Sequence, residues 1–425
     1  MRVLWFTNIP LAPLLIHWGR EVTGSGFWMH ALVDSLRQSA AVDCIGVVYA
    51  GPGYRDEHIE IDGVDYYVVG QSLLAQRTGL GRQRDENKCL RAFIDIIKVF
   101  CPHIIHIHGT ERFYGRLKSD HLTDVPTLVS IQGLMRPYAA YAWGEKTLLD
   151  IIPLLNSWEV RHFFPTLKIR RRLLRGGDVE EQTIKSVNGV MGRTGWDRSY
   201  CWEIAPNVQY FHVDEMIRPE FFSSRWSISK ISRHTVYTTA RLTFLKGMHV
   251  FIDAMAILKQ NFPDLEVWIA GAISPTPEAQ YLMRLVKKRD LSNVIRFLGW
   301  IPGPQIVDAL LSAHCYVNTS FIENSCNSLQ EAMLLGCPCV TTFTGGMPSL
   351  LQHRSTGLMA PSGCTHMFAD AVREIFESDA LCESLSTAAR EVALVRHNPE
   401  RILAQLVAAY NTTIEHGHLA ELKGA

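Results

Sequence analysis

The chain has 425 residues, of which 47% are hydrophobic and 20% charged, and its formal net charge is +0. That length exceeds one ordinary core and predicts two domains, and the even charge excludes a globally basic nucleic-acid binder. Ten cysteines are scattered without paired spacing or a nearby histidine cluster, which predicts buried free thiols and no metal site.

In chain order, residues 2–8 (RVLWFTN) read as a buried first strand. Their apolar run is too short for a signal peptide, and no stretch reaches the roughly 18–20 apolar residues of a membrane span. A cytoplasmic protein is expected. Further strands are predicted at 44–50, 64–69, 103–108 and 127–131, with amphipathic helices at 26–38 and 90–100. This alternation predicts a doubly wound α/β domain with a mostly parallel sheet. Residues 134–186 read as largely helical, aromatic and basic. Short strand-like pieces follow at 188–192 and 208–212, and the polar stretch 213–234 reads as a linker. A second alternation starts at 235, with strands VYTTA, LEVWIAG, VIRFLGW, HCYVNTS and PCVTT. Helices at 247–260, 278–289, 304–313 and 328–336 separate them. The expected division is 1–225, 226–396 and a terminal segment 397–425 whose helix packs back on the first domain. Two such domains predict a cleft between facing sheet ends, where strand carboxyl ends bind ligands.

Four stretches could carry chemistry. Gly24-Ser25-Gly26 stands before a helix, where backbone amides approach an anion closely. In Thr239–Gly247, Arg241 and Lys246 would present two cations at a strand end, one a planar fork for phosphate and one a point charge. In Phe321–Val340 (FIENSCNSLQEAMLLGCPCV), Glu323 lies among small polar residues and Glu331 enters a helical run. Ser328 to Glu331 matches a capping box, which explains Glu331 without chemistry; a helix start is also an anion site, and these residues alone fit both roles. Gly345 and Gly346 follow the strand PCVTT and expose amides at another strand end. Together the groups suit a diphosphate and sugar hydroxyls.

The text ARLTFLKG, WIAGA, RFLGWIPGPQIVDALLSAHCYVNTS, Glu323 to Glu331 as E-x7-E, EAMLLGCPCVTTFTGGMPSLL and STGLMAP resembles the nucleotide-sugar domain of the retaining group 1 (family 4) glycosyltransferases of the GT-B fold. It covers 235–362 in order. RVLWFTN, the GSG loop, HIIHIHG and TLVSIQG resemble the acceptor domain more loosely. The resemblance implies two facing Rossmann-like domains and transfer of a sugar from a nucleoside diphosphate donor, UDP- or GDP-linked, with retention and without a metal or other cofactor. It implies that Arg241 and Lys246 neutralise the diphosphate, that Glu331 binds the ribose, and that Glu323 lies by the sugar and phosphates. Gly24, Gly26, Asn324, Ser325, Asn327, Gly345 and Gly346 complete the expected donor site.

Two departures stand out. Gln132 occupies the place of the family's histidine and cannot titrate. Glu323-Asn324-Ser325-Cys326 replaces the common E-G-F-G text, which alters the pocket. His108 and Gln132 are candidate acceptor or donor contacts. His106 reads as structural, and Asp197 reads as a salt-bridged turn rather than an acceptor carboxylate. The basic, apolar stretch 161–175 fits either a solvated helix face or peripheral contact with an anionic inner membrane face, which would suit a lipid-linked glycan acceptor in bacterial surface-polysaccharide synthesis. The rival readings are a non-catalytic sugar-nucleotide-binding subunit and a sugar-nucleotide epimerase of like build. A dinucleotide oxidoreductase would need G-x-G-x-x-G, which GSGFWM does not supply.

Overall fold

The computed structural model of the chain describes residues 1–22, 26–162 and 164–424. It divides into two compact units. The first comprises Met1–Arg136, Arg175–Met216 and His397–Ala425, and the second Pro137–Leu174 and Ile217–Arg396.

The first unit is built on eight strands: β1 (Arg2–Thr7), β2 (Cys44–Pro52), β3 (Glu57–Ile61), β4 (Val64–Gln71), β5 (Ile104–His108), β6 (Thr127–Ser130) and, after the short extended segment β7 (Ala142–Glu145) of the other unit, β8 (Gly189–Gly192) and β9 (Gln209–His212). Their order is β3-β4-β2-β1-β5-β6-β8-β9, and every pair is parallel except β3 with β4. Side chains of β1 alternate between two cores. Val3 and Trp5 pack with the helix Phe27–Arg37 and with Ile402, Leu406 and Tyr410 of the helix Pro399–Gly424; Leu4 and Phe6 pack with Phe93, Ile97 and Phe100 of the helix Arg82–Phe100. Burial on both faces explains why β1 reads as an unbroken apolar run. Each such side chain contributes about 1.5–3 kcal/mol.

One polar chain ties four of these elements together. Trp5 Nε1 donates to Tyr410 Oη at 2.9 Å, and Tyr410 Oη lies 2.7 Å from His106 Nδ1. With that hydroxyl accepting from Trp5, its proton points to His106, and His106 Nε2 donates to Ser130 Oγ. His106 is therefore a structural histidine, fully buried between β1, β6 and the terminal helix.

The second unit carries a six-stranded parallel sheet of β10 (Thr235–Thr239), β11 (Glu266–Ala270), β12 (Ile295–Gly299), β13 (Cys315–Asn318), β14 (Cys339–Thr342) and β15 (Leu358–Ala360), in the order β12-β11-β10-β13-β14-β15. One continuous core joins Ile151 to buried residues from Ile217 to Ala393.

The expected division at 225/226 differs from these units in two places. Residues 137–174 belong to the second unit, because Ile151 is buried in its core, Leu154, Leu155 and Leu167 pack against that core, and His249 Nε2 lies 2.8 Å from a Glu145 oxygen. Residues 217–225 join it too: Phe221 is buried there, and the neighbouring Trp226 donates Nε1 to Ala313 O at 2.8 Å. Strand β3 was not expected. It forms a hairpin with β4 through Asp62 and Gly63, both at positive φ, the geometry that an Asp-Gly pair favours. Helix Arg82–Phe100 starts eight residues earlier than expected, because its first turns (RQRDENK) are polar and exposed on the surface.

Burial, with Arg193 nearby, lowers the His106 pKa from 6.5 to about 3. The folded state therefore keeps this ring neutral, and its contribution is complete above pH 6.5 and is lost as pH falls toward 3. Urea unfolding between pH 7.5 and 4.5 is expected to show a His106→Gln variant with a shallower loss of stability than wild type. The difference is at most about 1.4 kcal/mol for each pH unit below 6.5. Equal slopes would remove His106 as the acid-sensitive group.

Candidate functional site

Three adjacent strands of the second unit, β10, β13 and β14, end in loops that are laced together. After β10, Leu242 and Phe244 are buried anchors, which leaves Arg241 exposed and Lys246 half-buried between them and the next helix. Gly247 caps the helix Met248–Lys259 with φ +63, and a Cβ there would lie 1.9 Å from Thr319 O. Thr319 Oγ1 donates to Gly247 O at 3.0 Å, and Phe321 N donates to Leu245 O at 2.9 Å. The β10 loop is thus fixed to the β13 loop.

Glu323 joins the third loop. Its carboxylate accepts from Ser320 Oγ at 2.8 Å and pairs with Lys246 Nζ, and its main-chain oxygen accepts from Gly346 N at 2.9 Å. Gly345 has φ +49, and a Cβ there would sit 2.1 Å from Glu323 O. Burial opposes the charge of Lys246, but the Glu323 carboxylate more than offsets it, so the lysine pKa is raised. Arg241 is close enough to act on the same ammonium.

Several expectations change here. Ser328 and Glu331 form no capping box. The helix Asn327–Leu335 begins at Asn327 with Cys326 as its cap residue, so Ser328 lies inside the first turn; its Oγ is 2.7 Å from Tyr316 Oη. Glu331, a further turn along, pairs instead with Arg218 Nη2 at 2.6 Å. Not every expected backbone donor faces outward. Gly346 N is taken by Glu323 O, and Asn324 N donates to Tyr138 Oη at 3.2 Å. Ser325 Oγ and Asn327 Oδ1 accept from Gln330 Nε2 at 3.1 and 3.4 Å. Burial and the Glu323 charge hold the Tyr138 hydroxyl well above the usual phenol range.

Sequence reading missed Arg218, Tyr138 and Ser320. Arg218 lies in a stretch that reads as linker, and its partner is 113 positions away. Tyr138 belongs to a segment expected in the other domain. Only Ser320 had a signal, as a small polar residue at the end of HCYVNTS.

In the first unit, His108 ends β5 and is buried, with Trp5, Trp28 and His106 rings 4.1, 5.7 and 3.9 Å away. Among the described residues neither ring nitrogen has a hydrogen-bond partner, and burial with the neighbouring His106 and Arg193 drives its pKa far below the usual range. Gln132 follows β6, and its Nε2 is likewise buried without a partner. Gly26 caps the helix Phe27–Arg37 at φ +88, where a Cβ would meet Ile9 at 2.4 Å. Gly24 lies outside the described residues. Asp197, expected in a salt-bridged turn, instead lies in the first turn of the helix Gly195–Ile204, whose cap residue is Thr194. It accepts from Arg193 N at 3.0 Å and Tyr210 Oη at 2.6 Å and forms a capping box with Thr194. Among the described residues, no group of three or more His, Cys, Asp or Glu is placed to hold a metal.

Residues 225–392 match the family model of the group 1 glycosyl transferases. The chain is 29% identical over 200 residues to the amylovoran biosynthesis glycosyltransferase AmsK of Erwinia amylovora, a match that covers 45% of this chain and 48% of that one. It is 30% identical over 183 residues to the putative colanic acid biosynthesis glycosyltransferase WcaL of Salmonella typhimurium, covering 41% and 44%. The chain therefore spans less than half the length of these relatives. Among solved structures, a sucrose-phosphate synthase from Thermosynechococcus elongatus superposes with a TM-score of 0.72 at 15% identity, covering 97% of this chain and 98% of that one. HepE of Anabaena, solved with UDP-glucose, gives 0.67 at 15% identity, covering 97% and 100%. At these identities the likeness establishes the fold, which is GT-B: two parallel-sheet α/β units.

The lacing of the loops can be tested at its tightest point. Gly247→Ala places a methyl group against Thr319 O and forces a left-handed backbone, a cost of about 2 kcal/mol. A unit of this size should lose roughly 4–8 °C in its unfolding midpoint, which differential scanning fluorimetry would read. An unchanged midpoint would show that the loop has room to move.

Proposed function

We propose that this chain, whose residues 225–392 are a group 1 glycosyl transferase domain within a GT-B fold, moves a hexose from a nucleoside-diphosphate sugar to a glycan or lipid-linked oligosaccharide, with retention at the anomeric carbon. The observation that carries the reading is the Arg241–Lys246–Glu323 group at the carboxyl ends of β10 and β13. The crystallised UDP-glucose complex of HepE supports a UDP-sugar donor, and the amylovoran and colanic acid relatives support a bacterial surface-polysaccharide product.

In this mechanism the bond between the anomeric carbon and the diphosphate oxygen breaks through an oxocarbenium-like state. Negative charge grows on the leaving diphosphate. Arg241 and Lys246 stabilise that charge, and Lys246 does so from a position that Glu323 fixes before reaction, where the effect is largest. Glu323 sets the ammonium of Lys246 in place and raises its pKa, so the lysine stays charged throughout the neutral range. The acceptor hydroxyl attacks on the face the diphosphate leaves, and its proton passes to a leaving-group oxygen. Glu331 accepts from the ribose hydroxyls, and Arg218 orients its carboxylate for that task. Asn324, Ser325 and Asn327 shape the sugar side of the pocket, and Gly345 lets the β14 loop lie close against Glu323.

Three results are expected. In a thermal-shift panel of UDP-glucose, UDP-N-acetylglucosamine, GDP-mannose, ADP-glucose and dTDP-glucose, a UDP- or GDP-sugar should raise the midpoint of wild type and leave Arg241→Ala/Lys246→Ala unmoved. Near 100-fold saturation the stabilisation is about 2.7 kcal/mol. Silence across the panel from a folded sample would reject the donor site. With an acceptor found, Arg241→Ala should lower kcat by roughly 10²–10³, as loss of one preorganised charge does. Proton NMR of the early product should show the donor's anomeric configuration; the opposite anomer would reject retention.

A further inference from the structure

The segment between Leu148 and Leu174 in the second unit plays no part in the site just described, and its surface is unusual. Its inner side is well held. Ile151 is fully buried, Leu154, Leu155 and Leu167 pack on the core, and Trp143 Nε1 donates to Thr166 O at 2.9 Å. The Glu159 carboxylate, with no exposure at all, accepts from Thr166 Oγ1 and from Thr166 N at 3.3 Å. The backbone is therefore pinned from beneath.

The outer side carries large apolar groups. Leu148, Leu149, Ile152, Val160, Phe164 and Leu174 are all exposed, Leu149 by 81% and Val160 by 60%. Interleaved with them are exposed cations, Arg161 and, on the helix Pro165–Ser186, Arg170, Arg171 and Arg172. Leu167, Ile169 and Leu173 are less exposed than these arginines, which sets the basic side of that helix toward solvent. No acidic residue stands between Glu159 and Asp178, so the cations are not neutralised along the chain. Surface apolar groups that occur singly need no explanation, but several of them in one pinned segment, with arginines that no acidic residue along it offsets, do.

We propose that this surface docks reversibly on an anionic lipid bilayer, with the leucine and isoleucine side chains entering the acyl boundary and the arginines meeting lipid phosphates. Charge decides the occupant. A second copy of this surface would set arginine against arginine, whereas an anionic bilayer satisfies both the apolar and the basic groups. No described helix is long and apolar enough to cross a membrane, so the attachment is peripheral. This inference is independent of the donor reading. A chain that bound no nucleotide sugar would still attach.

Co-sedimentation with phosphatidylcholine vesicles, with and without phosphatidylglycerol, tests it on the full chain. Wild type should pellet with the anionic vesicles only, and less so at high salt. Arg170→Glu/Arg171→Glu/Arg172→Glu should bind roughly ten-fold more weakly or worse, since each basic group near such a surface contributes substantially. Leu148→Ser/Leu149→Ser/Ile152→Ser should weaken binding even at low salt. All six positions are solvent-facing or half so, and unchanged melting curves would confirm that both variants fold. Wild type that stays in the supernatant, or either variant binding as wild type does, would overturn the proposal. So would self-association by light scattering that the arginine variant leaves intact.

Discussion

The candidate site depends on how Glu323 is held. Its main-chain oxygen accepts from Gly346 and leaves no room for a side chain at position 345, while its carboxylate takes Ser320 and Lys246. One residue therefore joins the loops after β10, β13 and β14. A carboxylate this deeply buried and without a cation would cost several kcal/mol, and burial alone would lower the pKa of the lysine. Each charge is the condition for the other. The pairing keeps a full positive charge beside Arg241 at the strand ends.

The two units treat their strand ends in opposite ways. In the second unit, charge is retained by pairing, as Lys246 with Glu323 and Arg218 with Glu331. In the first unit the corresponding end of β5 carries His108, packed among aromatic rings, with burial keeping it neutral and both nitrogens without partners. Gln132 Nε2 is in the same condition one strand away. Buried polar atoms without partners are expensive, and proteins keep few of them.

Much of this was legible in the sequence, for physical reasons that also explain what was not. Strands buried on both faces read as unbroken apolar runs, so β1, β2, β10, β11, β13 and β14 stood out. The order of motifs from Arg241 to Gly346 was local text and could be read directly. Strand β3 was missed although Asp62-Gly63 marks its hairpin, because three of its five residues are polar and two of these, His58 and Glu60, are exposed. The capping box at Ser328 was misread because the motif fixes a spacing, not a starting residue; the helix starts at Asn327, and Glu331 then turns toward Arg218. Long-range partners leave no mark on either sequence neighbourhood. Arg218 and Tyr138 were invisible for that reason, and so was the membership of 137–174 in the second unit.

Net charge hides a similar arrangement. The balance of +0 reflects 42 basic and 42 acidic residues, some of them paired, on the surface as Arg233 with Asp379 and inside as Arg218 with Glu331. Paired surface ions contribute little to stability, and their main effect is to silence the field around them. Among the stretches that carry several cations and no acidic residue are the run from Arg225 to Lys246, which includes Arg241, and the run from Arg161 to Arg175. In the first, Arg241 is exposed beside the Lys246–Glu323 pair; in the second, exposed arginines stand along the chain among exposed apolar side chains. What separates the two settings is the company each arginine keeps.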